Sequence, residues 1–135
     1  MSAIDITIPR LETEEGFRGT AYKDTEGHLT IGYGFNVDAG ITQFAAGALL
    51  TAQLQELHSQ LLPYEWYSTL DETRQSVCLD IAFNAGLTGL LAFPHMIAAL
   101  SRQDWPSAQT ELLNSEAARA APTRYQVLGQ LLLLG

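Results

Sequence analysis

Basic residues are scarce in this chain. Only seven of its 135 residues are Lys or Arg, against 15 Asp or Glu, so the formal net charge is −8. A protein that binds nucleic acid needs a basic surface, because it must neutralise phosphate charges. The sequence therefore predicts no nucleic-acid partner.

Cysteine and long apolar runs are scarce as well. Cys78 is the one cysteine, which excludes an internal disulfide, and its neighbours Val77 and Leu79 predict a buried, inert thiol. No segment approaches the roughly 20 apolar residues that span a bilayer, and the first residues lack the features of a signal peptide. We therefore expect synthesis in the cytoplasm and no membrane anchor. Any target outside the cell would require a separate export route.

Repeats, low-complexity runs and Pro/Gly-rich linkers are also absent, so residues 1–135 are predicted to form one domain. Composition changes near residue 40. Before it, glycines are frequent, and HLTIGYGF is typical of a strand that follows a KDTEG turn. After it, apolar residues recur at helical spacing. The pattern predicts an α+β fold, with a small β-bearing part over about residues 1–50 and a helical part over about residues 51–135.

Five helices are predicted after the β-bearing part. The central one is LDETRQSVCLDIAFNAG, where Ser68 and Asp71 fit a capping box and Gly86 is the expected stop. Its apolar stripe is predicted to form core. The other four segments are TQFAAGALLTAQLQELHSQLL, PHMIAALSR, DWPSAQTELLNS and APTRYQVLGQLLLL, the last with Pro122 in its first turn.

The residues best suited to catalysis lie in EEGFRGTAYKDTEGHLTIGYG, from Glu14 to Gly34. A first helix is predicted from about Ile8 to Glu15 with Thr7 as its cap, and this puts Glu15 on the face that the helix buries. Burial favours the protonated carboxyl that a general acid requires. The alternative is a solvated acid at a frayed helix end.

Asp24 lies in the predicted turn, where Asp commonly accepts hydrogen bonds from its own backbone. In that wetter setting it would stay ionised, so the pKa values of Glu15 and Asp24 would be separated. Such a pair suits glycoside hydrolysis, in which one acid protonates the leaving oxygen and the other carboxylate activates water or attacks the sugar. The hydroxyl of Thr30 could hold that water, although Thr is also an ordinary strand residue.

The spacing of these residues resembles that of the phage-type lysozymes. The resemblance rests on the pattern E-G…Y-x-D-x-x-G-x-x-T-x-G-x-G, which begins at Glu15 and ends at Gly34. It extends through LLPYEWYSTLDETRQSVCLDIAFNAGLTG and AFPHMIAALSRQDWPSA to APTRYQVL. The resemblance implies a lysozyme-like α+β fold with a small N-terminal lobe, a larger helical lobe and an active-site cleft between them.

The resemblance also implies roles for single residues. Glu15 matches the family's general acid, Asp24 the carboxylate that directs the attacking water, and Thr30 the third member of this trio. Arg124 matches an arginine that approaches the catalytic glutamate from the helical lobe. The alternative is that Arg124 is an ordinary surface residue.

Two further residues, Phe83 and Asn84, fall where the family lines its sugar-binding cleft, although Phe83 could equally be an ordinary core residue. Three features depart from the family pattern. Phe35 replaces a histidine, Ala117 and Ala118 replace a Trp-Tyr pair, and the segment between Gly34 and Leu50 is shorter. These departures affect the details of the cleft and leave the trio intact.

The activity implied is that of an endolysin, an N-acetylmuramidase that cleaves the β-1,4 bond between N-acetylmuramic acid and N-acetylglucosamine in peptidoglycan, with inversion at the sugar carbon. We expect a monomer without cofactor, made in the host cytoplasm and released to the cell wall through a holin or another route. His28, His58 and His95 share no ligand spacing with Cys78, so no metal site is predicted. A lytic transglycosylase and a non-catalytic peptidoglycan-binding module are the alternatives.

Overall fold

The computed structural model describes all 135 residues, which form two compact units, Met1–Ala48 and Leu49–Gly135. The elements in chain order are α1 (Ala3–Glu15), β1 (Arg18–Lys23), β2 (Leu29–Gly32), β3 (Phe35–Asn36), α2 (Gln43–Leu61), α3 (Glu65–Ser68), α4 (Glu72–Leu91), α5 (Pro94–Ser101), α6 (Trp105–Leu113), α7 (Glu116–Ala120) and α8 (Pro122–Leu134). A small sheet followed by helices confirms the predicted α+β class. The single domain over residues 1–135, with its division near residue 50, stays a prediction.

Helix α1 begins earlier than predicted. Its cap is Ser2, whose hydroxyl accepts from the Asp5 backbone N–H while the Asp5 carboxylate accepts from the Ser2 N–H. This reciprocal pair satisfies two free amides and starts the helix at Ala3, so the prediction that Thr7 caps it is wrong. Pro9 then lies inside the helix.

The sheet of the first unit is antiparallel in the order β1-β2-β3. Tyr22 pairs with Thr30 across β1 and β2, and Ile31 pairs with Phe35 across β2 and β3. Three residues, 32–34, therefore close the second hairpin. Both of its glycines have positive φ (70° at Gly32 and 77° at Gly34), a conformation that L-residues rarely adopt.

The core of the second unit surrounds α4. Cys78 is fully buried, and burial raises the pKa of its thiol to about 12, which confirms the predicted inert cysteine. The predicted stripe of α4 is buried along its length, and α2, α3, α5, α6 and α8 supply the other large side chains. The largest fully buried residues are Leu61, Tyr67, Val77, Ile81, Leu90, Met96, Leu100, Leu112, Tyr125 and Leu132.

The ends of α4 differ in part from the prediction. The Asp71 carboxylate accepts from the Arg74 N–H, so Asp71 is itself the cap and the Ser68–Asp71 capping box is wrong. Gly86 interrupts the helix with φ 81° and ψ 165°, as expected of a stop, and a further helical turn follows it. The short helices α3 and α7 were not predicted.

Arg74 joins three helices of the second unit, although it is charged and only 8% exposed. Its Nε donates to the Leu132 carbonyl at 2.7 Å and its Nη2 to the Leu133 carbonyl at 3.0 Å, both in the last turn of α8. Its Nη1 donates to Asp71 at 2.8 Å, and its guanidinium carbon lies 3.8 Å from the ring centroid of Trp105. Arg74 thus satisfies carbonyls that the end of a helix leaves without partners.

No single helix is long and apolar enough to cross a membrane. The one combination that reaches the required length and composition is the pair α4 and α5, which is bent by 96°.

Candidate active site

The turn between β1 and β2 fixes the side chain of Asp24. Its Oδ1 accepts from the backbone N–H groups of Glu26 at 2.9 Å and His28 at 2.8 Å. The Asp24 N–H donates to the His28 carbonyl, and the Gly27 N–H donates to the Asp24 carbonyl, which closes the turn. One carboxylate oxygen is therefore committed to the backbone, while Oδ2 is free of backbone partners. This is the short-range bonding predicted for Asp in a turn.

These hydrogen bonds stabilise the ionised carboxylate. The His28 N–H, with a smaller contribution from the Glu26 N–H, holds the pKa of Asp24 below its ordinary value. The imidazole of His28 also lies near, with Nδ1 3.6 Å from Asp24 Oδ2 and 3.7 Å from Glu26 Oε2. Asp24 is thus held as a carboxylate, as a residue that directs water requires.

We expect a residue-resolved carboxyl NMR titration to give a pKa for Asp24 below the roughly 3.9 of a free Asp side chain. Because the folded pKa is the lower one, this carboxylate contributes stability above the unfolded pKa, and the contribution is lost as pH falls through the folded value. Stability should therefore fall less steeply below about pH 4 in Asp24→Asn than in the wild type. If the free energies of unfolding of the two proteins fall equally steeply below about pH 4, this prediction is wrong.

Thr30 lies beside Asp24 in the same hairpin. It is only 4% exposed, and its hydroxyl donates to the His28 carbonyl at 2.9 Å, the carbonyl that also accepts from the Asp24 N–H. A hydroxyl that donates its proton still has lone pairs with which to accept one. The structure therefore brings Asp24 and Thr30 together through one shared carbonyl.

Glu15 ends α1 and lies against the tip of the second hairpin. A Cβ placed on Gly34 would come 2.5 Å from Glu15 Oε2 and 3.0 Å from its carboxyl carbon, so only glycine leaves room for this carboxyl. The adjacent Tyr33 donates its hydroxyl to Glu12 Oε2 at 3.3 Å, one turn earlier on α1. Two contacts thus tie the end of the helix to the hairpin.

The predicted burial of Glu15 is wrong. No residue of α1 is buried, and Ile8 and Leu11, on the face that was expected to pack, are 48% and 43% exposed. The prediction relied on apolar spacing over a helix that was too short. Glu15 is held by its hairpin contacts and is exposed to solvent.

With Glu15 as the general acid that the resemblance implies, Gly34→Ala is expected to lower kcat by about 10²-fold, because a misplacement of about 1 Å costs that much. The Glu15 carboxyl is the flexible end of a side chain, so it would move aside to admit the new methyl. The strained φ adds about 1–2 kcal/mol of instability. Hydrolysis and thermal unfolding should be measured together.

Gly40→Ala is the matched control for this substitution. Gly40 has φ 83°, and a Cβ there would meet nothing within 4 Å, so the variant carries similar strain without touching Glu15. Equal losses of kcat in the two variants would show that strain alone is responsible.

The other predicted site residues lie in the second unit. Phe83 and Asn84 are exposed in α4, so the core alternative for Phe83 is wrong. Phe83, 47% exposed, lines an open hollow with Gln53, Glu56, Leu57, Gln60 and Ala82. Arg124 forms an ion pair with Asp80 of α4. Its approach to Glu15 and the sugar contacts of Phe83 and Asn84 stay predictions.

Sequence reasoning missed the residues that hold Glu15. Gly34 appeared only as part of the spacing, and the hydrogen bond between Tyr33 and Glu12 joins residues 21 positions apart. A glycine two residues after another, between β-formers, was the available signal of a tight hairpin. No group of three or more His, Cys, Asp or Glu side chains is arranged to hold a metal ion. The expectation of a cofactor-free site stays a prediction.

Two comparisons with known proteins gave matches. The family model described as phage lysozyme matches residues 12–126, which include Glu15, Asp24, Thr30 and Arg124. A relative from Dictyostelium discoideum, named "Probable T4-type lysozyme 1", is 23% identical, and the alignment covers 84% of this chain and 85% of the relative.

Proposed function

Because the chain belongs to the phage lysozyme family, we propose that it cleaves the β-1,4 bond between N-acetylmuramic acid and N-acetylglucosamine in peptidoglycan. Family membership itself makes the chain a lysozyme-like peptidoglycan hydrolase, and therefore a glycosidase. The specific bond that is cleaved, the catalytic residues and the stereochemical outcome are what we propose beyond family membership.

The observation that carries the proposal is the bonding of Asp24. With Oδ1 held by two backbone N–H groups, the carboxylate is ionised and fixed, and Oδ2 has no backbone partner. That oxygen can accept a proton from water while the Thr30 hydroxyl accepts the second. We assign Asp24 and Thr30 the task of orienting the attacking water.

Glu15 is the proposed general acid. Its carboxyl lies against Gly34, in the hairpin that also carries Thr30. A bound glycan strand would cover this exposed carboxyl and remove water around it, which favours the protonated form that the leaving oxygen requires. Attack by water on the far face of the sugar inverts its configuration and requires roughly 6.5–9.5 Å between the two carboxyls. We retain the assignment of Arg124 as support for Glu15, as the resemblance implies.

The proposal is tested by digesting purified peptidoglycan with the full chain and identifying the products by mass spectrometry. A muramidase leaves a reducing N-acetylmuramic acid end and incorporates one oxygen from H₂¹⁸O for each bond cleaved. A 1,6-anhydro end without ¹⁸O would identify a lytic transglycosylase. Binding without any product would identify a peptidoglycan-binding module. The ionised, fixed Asp24 favours hydrolysis over both alternatives.

We further propose that the protein acts as a monomer on the bacterial cell wall, with release by a holin or another export route. Analytical ultracentrifugation of the active protein tests the first point. The second point is tested by expressing the protein with and without a co-produced holin and measuring the lysis of each culture.

A further inference from the structure

Three aromatic residues of the first unit near Glu15 are exposed to solvent. Phe17 is 68% exposed, Tyr33 37% and Phe35 64%. Phe17 lies two residues after Glu15, and Tyr33 and Phe35 flank Gly34, against which the Glu15 carboxyl lies. We call these three residues the aromatic surface. Clustered exposed apolar residues near a polar site are typical of ligand-binding surfaces.

The aromatic surface is supported by two glycines and by a contact between two of its three rings. The ring of Phe17 lies over Gly19, where a Cβ would come within 3.3 Å of it, and the ring of Phe35 lies over Gly32, where the distance would be 2.9 Å. The rings of Phe17 and Tyr33 are 5.6 Å apart between centroids, with a tilt of 53°. The hydrogen bond from the Tyr33 hydroxyl to Glu12 fixes the outer end of the Tyr33 ring. Each ring is thus held by a contact within the first unit, while each of the three residues remains partly exposed.

The charges around the aromatic surface indicate an uncharged ligand. Glu12, which accepts from Tyr33, and Glu15, which lies against Gly34, adjoin it, so a sugar ring that itself carries a carboxylate would be repelled at this position. The apolar face of a pyranose ring stacks on an aromatic face, while its hydroxyl and acetamido groups can bond neighbouring carboxylates. An N-acetylhexosamine combines these properties.

We propose that Phe17, Tyr33 and Phe35 form a stacking subsite that binds an N-acetylhexosamine ring of the glycan strand beside Glu15. This inference rests on the proposed function, because it takes Glu15 as the position of the cleaved bond. The subsite contributes binding and leaves the chemical step to Glu15 and Asp24.

The first test is steady-state hydrolysis of purified glycan strands by Phe17→Leu and Phe35→Leu. Leucine retains apolar character but has no ring face. We expect KM to rise about five- to tenfold with kcat within about twofold of the wild type, in line with the energy of an aromatic contact. Phe17→Tyr and Phe35→Tyr retain the ring and should restore the wild-type KM. Phe44→Leu is the matched control, since Phe44 is 89% exposed on α2 in the same unit.

The second test is independent of turnover. Titration of the Glu15→Gln chain with an N-acetylglucosamine tetramer, followed by calorimetry, should show affinity reduced by the same factor when Phe17→Leu is added. If the proposed function fails, this titration still reports on the aromatic surface. The inference is overturned if the Leu variants keep wild-type KM and affinity, if Phe44→Leu weakens binding as much, or if the loss accompanies a lower Tm that Phe17→Tyr does not restore.

Discussion

Replacing Glu15 with Gln is expected to lower kcat for peptidoglycan hydrolysis by about 10²- to 10⁴-fold, the usual contribution of a general acid. The amide has the shape of the carboxyl but no proton to give to the leaving oxygen. Because Glu15 is exposed and no residue of α1 is buried, the variant should unfold at the wild-type temperature. Single-turnover hydrolysis and thermal unfolding of the two proteins provide the measurement.

Glu14→Gln is the matched control, since it removes the same charge from the neighbouring exposed position of α1. It should retain wild-type kcat. Asp24→Asn should lose activity to a degree comparable with Glu15→Gln, although its amide oxygen can still accept from the Glu26 and His28 N–H groups. A Glu15→Gln protein with kcat within threefold of the wild type would exclude Glu15 as the acid, whatever the result for Asp24.

The sequence predicted well those features that depend on short-range chemistry. The turn at Asp24 and the break at Gly86 follow from the conformations that these residue types favour, and the buried stripe of α4 follows from its apolar spacing. The start of α1 was missed although Ser2 and Asp5 have the spacing of a capping box. The hydrogen bonds at Ser2 start the helix before Thr7, and Pro9 is accommodated inside it.

Features that depend on contacts between distant residues could not be predicted from spacing. Nothing in RGTAYK alternates strongly enough to predict β1, which forms because β2 supplies its hydrogen bonds. The position of Glu15 depends on a hairpin tip about twenty residues later. The family resemblance supplied the trio as candidates, while the hydrogen bonds that hold Asp24 and the contact between Glu15 and Gly34 required the structure.

The buried arginine of the second unit is the clearest case of a missed long-range contact. Nothing in the spacing of α4 singles out Arg74, yet it donates to carbonyls 58 and 59 residues away. At the end of α8 the carbonyls have no partners within the helix, and the negative end of the helix dipole favours a cation there. The planar guanidinium reaches two carbonyls and Asp71 while it stacks on Trp105, which an ammonium group could not do.

Arg74→Met is therefore expected to lower the free energy of unfolding by about 3 kcal/mol, and Tm by more than about 10 °C. Methionine fills much of the volume but leaves the buried Leu132 carbonyl unpaired, and Arg74→Lys should fall between this variant and the wild type. Arg102→Met is the control, because Arg102 is 58% exposed and its pair with Asp104, at 3.6 Å, is worth at most about 1 kcal/mol. Urea denaturation followed by circular dichroism measures all four proteins. If Arg74→Met lowers the free energy of unfolding as little as Arg102→Met does, Arg74 does not hold α8 to α4. The end of α8 must then be stabilised by its apolar contacts alone.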